Sequence, residues 1–419
     1  MIISKSRRYS KIYYCLLFVC VFLACMVPRY MGTFKIHVGI NISLYTVAVA
    51  ITWLIMSRRL RFYLRIESYI FYIWFLFVLL SLWRAERLGV WAYYLDWTLT
   101  AILFMQILYK GHNLRIYDTA IKAMTVALVI HLAMGIYEVT YHRYLFQVGE
   151  FSRRYYGTTA ISIFFNPNDY VTFVVTVFPF VIYQWSNSKV KILKAVYLLI
   201  AAVSIYLIIK SESRGAFFSL ILLGISLLIL QFRKSRMNKV VFTAVTLSVL
   251  LLVGAVTPLR DRLIQVFAFN KVDINGMDTS RVNLIKNGFY FLKQTHGFGV
   301  GAGNLVMWLT ERSIYRIGRL GFMHNWYMEV LVTFGVFFFA LYVCWHLKII
   351  FRLIKMYDRF DRIWNLNNSF LVSFLGFSVV SISSSSNIYS EWIWMYLVLI
   401  STFCLFEGKN SREHISYQR

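Results

Sequence analysis

Long apolar runs dominate this chain, and they predict membrane-spanning helices. A helix that crosses a bilayer needs about 20 mostly apolar residues, because the hydrocarbon core is about 30 Å thick. Runs such as residues 198–209 are continuously apolar and lack the alternation of a barrel strand. The pattern predicts spans at residues 12–27, 40–56, 66–83, 90–109, 117–137, 169–186, 192–210, 215–232, 240–257, 326–351, 368–387 and 389–407. The predicted fold is an all-α integral membrane protein of about twelve spans, with one polytopic domain over residues 1–419.

Composition agrees with this fold, and the positive charge orients it. Of the 419 residues, 59% are hydrophobic, whereas a soluble domain is roughly half apolar. The net charge of +26 suggests a nucleic-acid partner until the basic residues are placed on a topology. With the N-terminus inside, 26 of the 44 Lys and Arg fall on cytoplasmic segments, as the positive-inside rule requires. The charge therefore indicates orientation rather than nucleic-acid binding, with both termini cytoplasmic.

The first helix and the cysteines exclude two other readings. Residues 1–30 begin like a secretory signal, but residues 26–29 offer no small-x-small cleavage site, so we expect an uncleaved helix. The five cysteines fall inside predicted spans and form no CxxC motif, which indicates apolar packing rather than disulfides or a metal site. They are Cys15, Cys20, Cys25, Cys344 and Cys404. No metal or cofactor is expected.

Two long segments, residues 138–168 and 258–325, are predicted to lie on the outer side. The longer one is too large to be idle structure. Within it, Asp278, Thr279 and Ser280 are N-cap candidates for an amphipathic helix over residues 281–294. The apolar positions predicted to share one side of that helix are Val282, Ile285, Phe289 and Leu292. The helix is expected to lie on the membrane or across the mouth of a cavity.

Two arginines occupy electrostatically unfavourable places. Arg214 stands at the outer N-terminus of the eighth span, where the helix dipole disfavours a cation by about 0.3–1 kcal/mol. A bound anion would reverse that sign, since free N–H groups and a guanidinium then converge on it. Arg281 repeats the anomaly at the start of the loop helix. The alternatives are a snorkelling Arg214 paired with Glu212, and an Arg281 that binds a lipid headgroup or pairs with Asp278.

A histidine and a carboxylate mark the start of the tenth span. Of the eight histidines, His142, His296 and His324 lie in the long outer loops. His324 is followed by Asn325 and, five residues on, by Glu329. A neutral imidazole accepts a proton from a hydroxyl nucleophile, and a carboxylate holds the ring in orientation. The alternative is an interfacial histidine without a chemical role.

Other polar patterns carry weaker signals. The shorter loop contains Arg153 and Arg154, followed by an Asn-Pro-Asn turn for which Asn168 or Asp169 is the expected helix cap. The glycines at 297, 299, 301 and 303 imitate a dinucleotide fingerprint, but no strand precedes them. The serines of residues 381–386, placed in the eleventh span, either line a polar cavity or let helices approach closely.

Four segments together resemble the O-antigen ligase and O-antigen polymerase superfamily. In chain order they are Arg154-Tyr-Tyr-Gly157 with Asn166-Pro-Asn168, Ser213-Arg214-Gly215-Ala216, Ser280-Arg281 with His296-Gly-Phe-Gly299, and His324-Asn325-Trp-Tyr-Met-Glu329 with Gly335. Each motif is weak alone, but their order and spacing cover most of residues 150–340. Members often carry a second acid just before the glycine, where this chain has Thr333 and Phe334.

The resemblance implies a membrane glycosyltransferase with a GT-C-like fold, independent of metal and nucleotide. Glycan would pass from a polyprenyl-diphosphate carrier to an acceptor hydroxyl at the outer face of the bacterial cytoplasmic membrane. Arg214 and Arg281 would hold the diphosphate, and His324 would position or deprotonate the acceptor. The expected substrate-binding residues are Arg153, Arg154, Asn168, Asn325 and Glu329. The expected partners are the lipid-linked donor, a glycan or lipid acceptor, membrane lipids and other envelope-synthesis proteins.

Three kinds of function remain open at this point, and the first, glycan transfer, has two forms. A polymerase adds to another lipid-linked glycan of an O-antigen, capsular or exopolysaccharide type, whereas a ligase adds to lipid A core or a wall polymer. The sequence favours the polymerase slightly, because nothing in it identifies a specialised acceptor. A transporter of the same lipid-linked glycan is the rival from another class, although transporters are often built from related halves that we do not find here. A non-catalytic scaffold is the third.

Overall fold

The fold was analysed in a computed structural model of the chain. It describes residues 2–26, 33–36, 40–56, 68–111, 113–146, 159–164, 166–211, 213–234, 277–318, 321–356, 365–384 and 387–416. Most of these residues are helical, so the chain is an all-α membrane protein with one small hairpin. Within these ranges, four helices are long and apolar enough to cross a membrane by length and composition, namely Leu88–Lys110, Leu114–Tyr141, Lys191–Lys210 and Trp326–Met356.

The elements are numbered here in chain order. The two strands are β1 (Thr33–Ile36) and β2 (Ile40–Ser43). The helices of the first half are α1 (Ile2–Met26), α2 (Leu44–Met56), α3 (Tyr69–Leu80), α4 (Leu88–Gly111), α5 (Leu114–Tyr141), α6 (Pro167–Asn187) and α7 (Lys191–Lys210). Those of the second half are α8 (Arg214–Lys234), α9 (Met277–Gln294), α10 (Leu305–Glu311), α11 (Trp326–Met356), α12 (Leu366–Val380) and α13 (Glu391–Ser416).

Eleven of the twelve predicted spans coincide with a helix among the described residues. The remaining one, the ninth predicted span at residues 240–257, lies outside them. The second and eleventh predicted spans are too long at one end, because helix α2 begins only at Leu44 and helix α12 ends at Val380. The full count of spans stays a prediction. All five cysteines are free and lie in helices α1, α11 and α13.

A short antiparallel hairpin precedes helix α2, and the helical reading missed it. Strand β1 pairs with β2 in a register that places Thr33 opposite Ser43. Apolar and polar residues alternate from residue 33 to residue 43, which is the period of a strand. The strongly apolar run that follows predicts a span from residue 40 onward, but residues 40–43 form a strand, so the start of that prediction is wrong.

Helices α3, α11 and α13 meet around a buried tryptophan. The ring of Trp74 lies 4.5 Å from that of Trp394 and 6.1 Å from that of Trp326, centroid to centroid. Trp326 is the first residue of helix α11, and its indole N–H donates to the hydroxyl of Tyr342 at 2.7 Å. Large buried rings add packing energy beyond the area they bury. This cluster therefore fixes the start of α11, which is where the site lies.

Helix α11 is broken at Gly335, and a glycine-rich loop fills the break. Gly335 has φ 85° and ψ 173°, backbone angles that residues other than glycine rarely adopt. The loop of residues 297–303 donates from the backbone N–H of Val300 to Val332 O and from that of Gly301 to Thr333 O, both at 2.9 Å. The backbone N–H of Val336 donates to Gly297 O, also at 2.9 Å. The backbone of this glycine-rich loop thus supplies hydrogen bonds in place of those that the kink removes from α11. The glycine pattern therefore has a structural explanation that does not involve a nucleotide.

The same loop is fastened on its other side to the segment between α3 and α4. The side chain of Asn304 donates to Arg84 O at 2.8 Å, and its carbonyl oxygen accepts from the backbone N–H of Glu86 at 3.1 Å. Arg312 donates to both carboxylate oxygens of Glu86, at 3.0 and 2.9 Å. Residues 297–312 are therefore held between α11 and the start of α4.

Gly335→Ala is expected to destabilise the protein by about 3 kcal/mol or more. A Cβ there would lie 2.5 Å from the carbonyl carbon of Phe298, in addition to the strain of a positive φ. Gly224→Ala in α8 is the matched control, since a Cβ there meets nothing within 4 Å and alanine favours a helix by about 0.5–1 kcal/mol. Thermal unfolding in detergent measures both variants. Equal melting temperatures would contradict the role assigned to the kink.

Helix α9 starts earlier than predicted and buries a different face. It begins at Met277, so residues 278–280 belong to its first turn and do not cap it. Val282 and Phe289 are exposed, whereas the buried stripe consists of Leu284, Asn287, Gly288, Phe291 and Leu292. Buried Asn287 holds the following loop, because its side-chain oxygen accepts from the backbone N–H groups of Ile314 and Tyr315 at 3.0 Å. A polar residue inside the buried face shifted the apparent apolar stripe.

Candidate functional site

His324 lies on the loop that enters helix α11, in a conformation that few residues adopt. Its φ is 49°, in the left-handed region. His142 and His296 share this conformation, with φ of 54° and 51°, but both are exposed. The Nδ1 atom of His324 is buried and has no hydrogen-bond partner. Of the three outer-loop histidines, His324 is thus the one that is half-buried and has a buried, unpaired ring nitrogen.

The first turns of helix α9 bring Arg281 close to His324. Burial lowers the pKa of His324 from 6.5 to about 4, and the positive charge of Arg281 is the second cause. Arg281 itself is half-buried. The imidazole is therefore neutral at pH 7 and retains one nitrogen that accepts a proton. An arginine and a neutral histidine at one spot join an anion-binding group to a proton acceptor.

The residues after His324 cap and pack the start of helix α11. The side-chain oxygen of Asn325 accepts from the backbone N–H of Met328 at 3.0 Å, so Asn325 is the N-cap. Glu329 follows one turn later and is buried, with 1% of its surface exposed. Its charge acts on Tyr389, in the short turn before helix α13. Glu329 therefore belongs to the buried side of the site rather than to its opening.

Arg214 is the first residue of helix α8, as the sequence predicts, and it is exposed. The hydroxyl of Ser213 accepts from the backbone N–H of Ala216 at 3.4 Å and caps this helix. Gly215 packs against the turn after helix α12, because a Cβ there would lie 2.9 Å from the Cβ of Ser383. The carbonyl of Ser381, in the same turn, accepts from the backbone N–H of Trp326 at 3.0 Å. One turn thus joins the starts of α8 and α11, and so brings Arg214 and His324 to the same end of the bundle.

Part of the shorter loop lies at the start of helix α6. The side chain of Asn166 accepts from the backbone N–H of Asn168 at 2.8 Å, so Asn166 is the cap and the prediction of Asn168 or Asp169 was wrong. The proline at position 167 explains this, since proline favours the first helical position and leaves the residue before it as the cap. Asn168 is half-buried. Arg153 and Arg154 lie outside the described residues, as does Glu212, the predicted partner of Arg214.

A buried carboxylate that sequence reasoning did not single out holds this loop. Glu138, near the end of helix α5, accepts from the backbone N–H groups of Ile161 and Ser162, both at 2.8 Å. The hydroxyl of Ser162 lies 2.9 Å from Nδ1 of His131, whose Nε2 lies 3.0 Å from the carbonyl oxygen of Cys25. Both ring nitrogens of His131 thus have partners inside the core. Only the rarity of an acid inside an apolar run would have pointed to Glu138.

Comparison with known proteins finds matches to the segment that carries these residues. A family model described as O-antigen ligase matches residues 199–343, a segment that contains Arg214, Arg281 and His324. A protein of Bacillus subtilis (strain 168), the teichuronic acid biosynthesis protein TuaE, is 28% identical over 363 residues, covering 82% of this chain and 72% of the relative. Both matches support the expected resemblance to the O-antigen ligase and polymerase superfamily.

These similarities support a polysaccharide ligase or polymerase of envelope biosynthesis as the class of function. The matched segment begins within helix α7 and ends within helix α11. It therefore includes the starts of α8, α9 and α11, but neither the turn after α12 nor the loop held by Glu138. A ligase or polymerase of this kind would take a lipid-linked glycan donor and a glycan acceptor.

Proposed function

We propose that the chain transfers glycan from a polyprenyl-diphosphate carrier to an acceptor hydroxyl at the outer face of the bacterial cytoplasmic membrane. The observation that carries the proposal is the pairing of Arg281 with a neutral, half-buried His324, whose Nδ1 is buried, at the start of helix α11. Arg214 reaches the same end of the bundle through the turn after α12. The predicted topology of about twelve spans, with both termini inside and a GT-C-like fold, is part of this proposal.

In the proposed step, the acceptor oxygen attacks the anomeric carbon of the donor sugar. The bond from that carbon to the diphosphate oxygen breaks, and the oxygen keeps the electron pair. The hydroxyl proton passes to His324, for which Nδ1 is the available nitrogen. Because a diphosphate is a good leaving group, the enzyme has mainly to orient the reactants and neutralise charge.

Arg214 and Arg281 are proposed to bind the diphosphate and to stabilise the charge that it gains on leaving. Guanidinium groups pair with phosphate oxygens through two parallel hydrogen bonds, and helix N-termini add their N–H groups. This division of labour requires neither a metal ion nor a nucleotide. Arg153, Arg154, Asn168 and Asn325 are proposed to contact the glycan, and Glu329 to orient the groups around the start of α11.

The superfamily contains two kinds of acceptor chemistry, and we favour polymerisation of repeat units of an O-antigen, capsular or exopolysaccharide type. The relative is named for the biosynthesis of teichuronic acid, which supports a role in building a polymer. Ligation to lipid A core or a wall acceptor is the alternative. Transport of the lipid-linked glycan without chemistry is the rival from another class, and other envelope-synthesis proteins are the proposed partners.

Reconstitution with two acceptors tests this choice. The purified protein in liposomes receives a polyprenyl-diphosphate oligosaccharide, with or without lipid A core, and the products are separated on a gel. A ladder of longer lipid-linked glycans without lipid A core is expected for a polymerase. Product that forms only when lipid A core is added would assign the chain to the ligases and overturn our preference.

A further inference from the structure

A serine-rich turn outside the matched segment forms a third side of the site. It comprises residues Ser381–Ser384 and follows helix α12 directly, with Ser381 as the helix C-cap. The sequence placed these serines inside a span, but the helix ends at Val380, so they form a turn instead. Neither the family match nor the motifs of the resemblance include this turn.

One backbone hydrogen bond and one side-chain contact fix the turn between the candidate catalytic elements. The carbonyl of Ser381 caps the first N–H of helix α11, two residues after His324, at 3.0 Å. Ser383 abuts Gly215, the residue after Arg214, so closely that no side chain fits at that position. The turn therefore lies between the start of α8 and the start of α11 and contacts both, and Ser381 is at its α11 end.

The hydroxyl of Ser381 is buried and has no hydrogen-bond partner. Ser381 has 0% of its surface exposed, and its Oγ makes no hydrogen bond in the structure. The other serines of the turn differ, since the hydroxyl of Ser383 donates to Val380 O at 3.2 Å and that of Ser384 to Ser381 O at 3.5 Å. A buried hydroxyl without a partner is unfavourable, and such a group calls for an explanation. Nδ1 of His324, two residues before Trp326, is unpaired in the same way.

We propose that Ser381 is a further substrate-binding residue, whose hydroxyl donates to a phosphate oxygen of the carrier diphosphate. This inference rests on the proposed function, because it places the diphosphate between Arg214 and the start of α11. A phosphate oxygen fits better than a sugar hydroxyl, since Arg214 begins the helix at one end of the turn and Arg281 lies near His324 at the other. Hydrogen bonds to charged acceptors are roughly twice as strong as neutral ones.

A purely structural reading of Ser381 makes the opposite prediction. If serine serves only as a small residue that lets α8 and α11 approach, Ser381→Ala keeps that function and leaves ligand binding unchanged. If the hydroxyl binds phosphate, the same change weakens binding while the empty protein keeps or gains stability, because alanine removes an unpaired polar atom. Stability and binding therefore move in different directions only under the proposal.

Binding of undecaprenyl diphosphate in detergent, with undecaprenyl monophosphate alongside, is the test. Ser381→Ala is expected to raise the Kd for the diphosphate about tenfold or more, with an unchanged or higher melting temperature without ligand. Ser381→Cys, which retains a weak donor, is expected to fall between alanine and serine. The matched control is Ser373→Ala in helix α12, since the hydroxyl of Ser373 bonds to Thr176 O at 2.6 Å and to the hydroxyl of Tyr396 at 2.8 Å. It should lower the melting temperature and leave the Kd unchanged.

Each outcome decides a different claim. Equal Kd values for wild type and Ser381→Ala would remove Ser381 from the diphosphate site and leave the proposed function standing. Wild-type protein that does not bind undecaprenyl diphosphate at all would overturn the proposed donor, and the role of Ser381 with it. A Ser381→Ala protein that loses both binding and thermal stability, without partial recovery of binding in Ser381→Cys, would favour a structural serine.

Discussion

His324→Ala is expected to lower kcat/KM for glycan transfer by about 10²–10⁴-fold, the usual contribution of a general base. The matched control is His296→Ala, because His296 has the same left-handed backbone, with φ 51°, but is exposed. Both variants place alanine at a positive φ, so a loss caused by backbone strain alone would appear in both. Initial rates in liposomes with a fixed donor concentration measure the effect. Comparable losses in the two variants would remove His324 from the chemistry.

The pH dependence of the wild type follows from the burial of His324. Since burial and Arg281 lower the pKa of this histidine to about 4, kcat/KM is expected to stay level from pH 7 to about 5 and to fall as the pH approaches 4. A bound diphosphate adds negative charge, which favours the imidazolium, so the acid limb of kcat should lie at higher pH than that of kcat/KM.

The free energy of unfolding is expected to fall with decreasing pH, as kcat/KM does. The folded protein holds the neutral imidazole, whereas the unfolded chain titrates near 6.5, so the contribution of His324 is fully present above about pH 6.5 and is lost as the pH falls through about 4. An acid limb of kcat/KM near pH 6.5 would contradict the buried environment of this residue.

Arg281→Ala is expected to lower kcat by about 10²–10³-fold, the loss that follows removal of one preorganised donor to a developing negative charge. Arg281→Lys keeps the charge but not the paired donors, so it should recover only part of the rate. The control is Lys293→Ala, which removes an exposed cation from the last turn of the same helix. The three variants are compared in single-turnover rates, which separate transfer from product release.

A second signature belongs to Arg281 alone. Because its charge contributes to the lowered pKa of His324, Arg281→Ala should raise that pKa, and the acid limb of the residual activity should move to higher pH. Lys293→Ala should leave the limb where it is. A loss of rate in Arg281→Ala with no movement of the limb would mean that Arg281 acts away from His324.

The sequence predicted the helices and the main candidate residues, because both leave local signals. An apolar run long enough for a bilayer is visible without any tertiary contact, and so is an arginine at the start of a helix, as at position 214. The choice of His324 over His142 and His296 came from the resemblance and from its place beside a span. The structure adds the physical distinction, which is burial.

The remaining features depend on contacts between distant parts of the chain. The glycines of residues 297–303 serve the kink at Gly335, and nothing in either segment alone reveals the other. Ser381 follows Trp326, the residue whose backbone N–H donates to its carbonyl, by about 55 residues in the sequence. The exposed face of α9 was misjudged because buried Asn287 is polar, and its reason for being buried lies in a loop that follows later. Contacts between segments so distant in the sequence become visible only in the three-dimensional structure.

The measurement that tests the central claim most directly is the amount of free polyprenyl diphosphate released for each glycosidic bond formed in liposomes. Glycan transfer from the carrier predicts one diphosphate released per bond by the wild type, and a release rate lower by orders of magnitude in both His324→Ala and Arg281→Ala. Movement of an intact donor across the bilayer, with no diphosphate released, would contradict the account and make the chain a transporter.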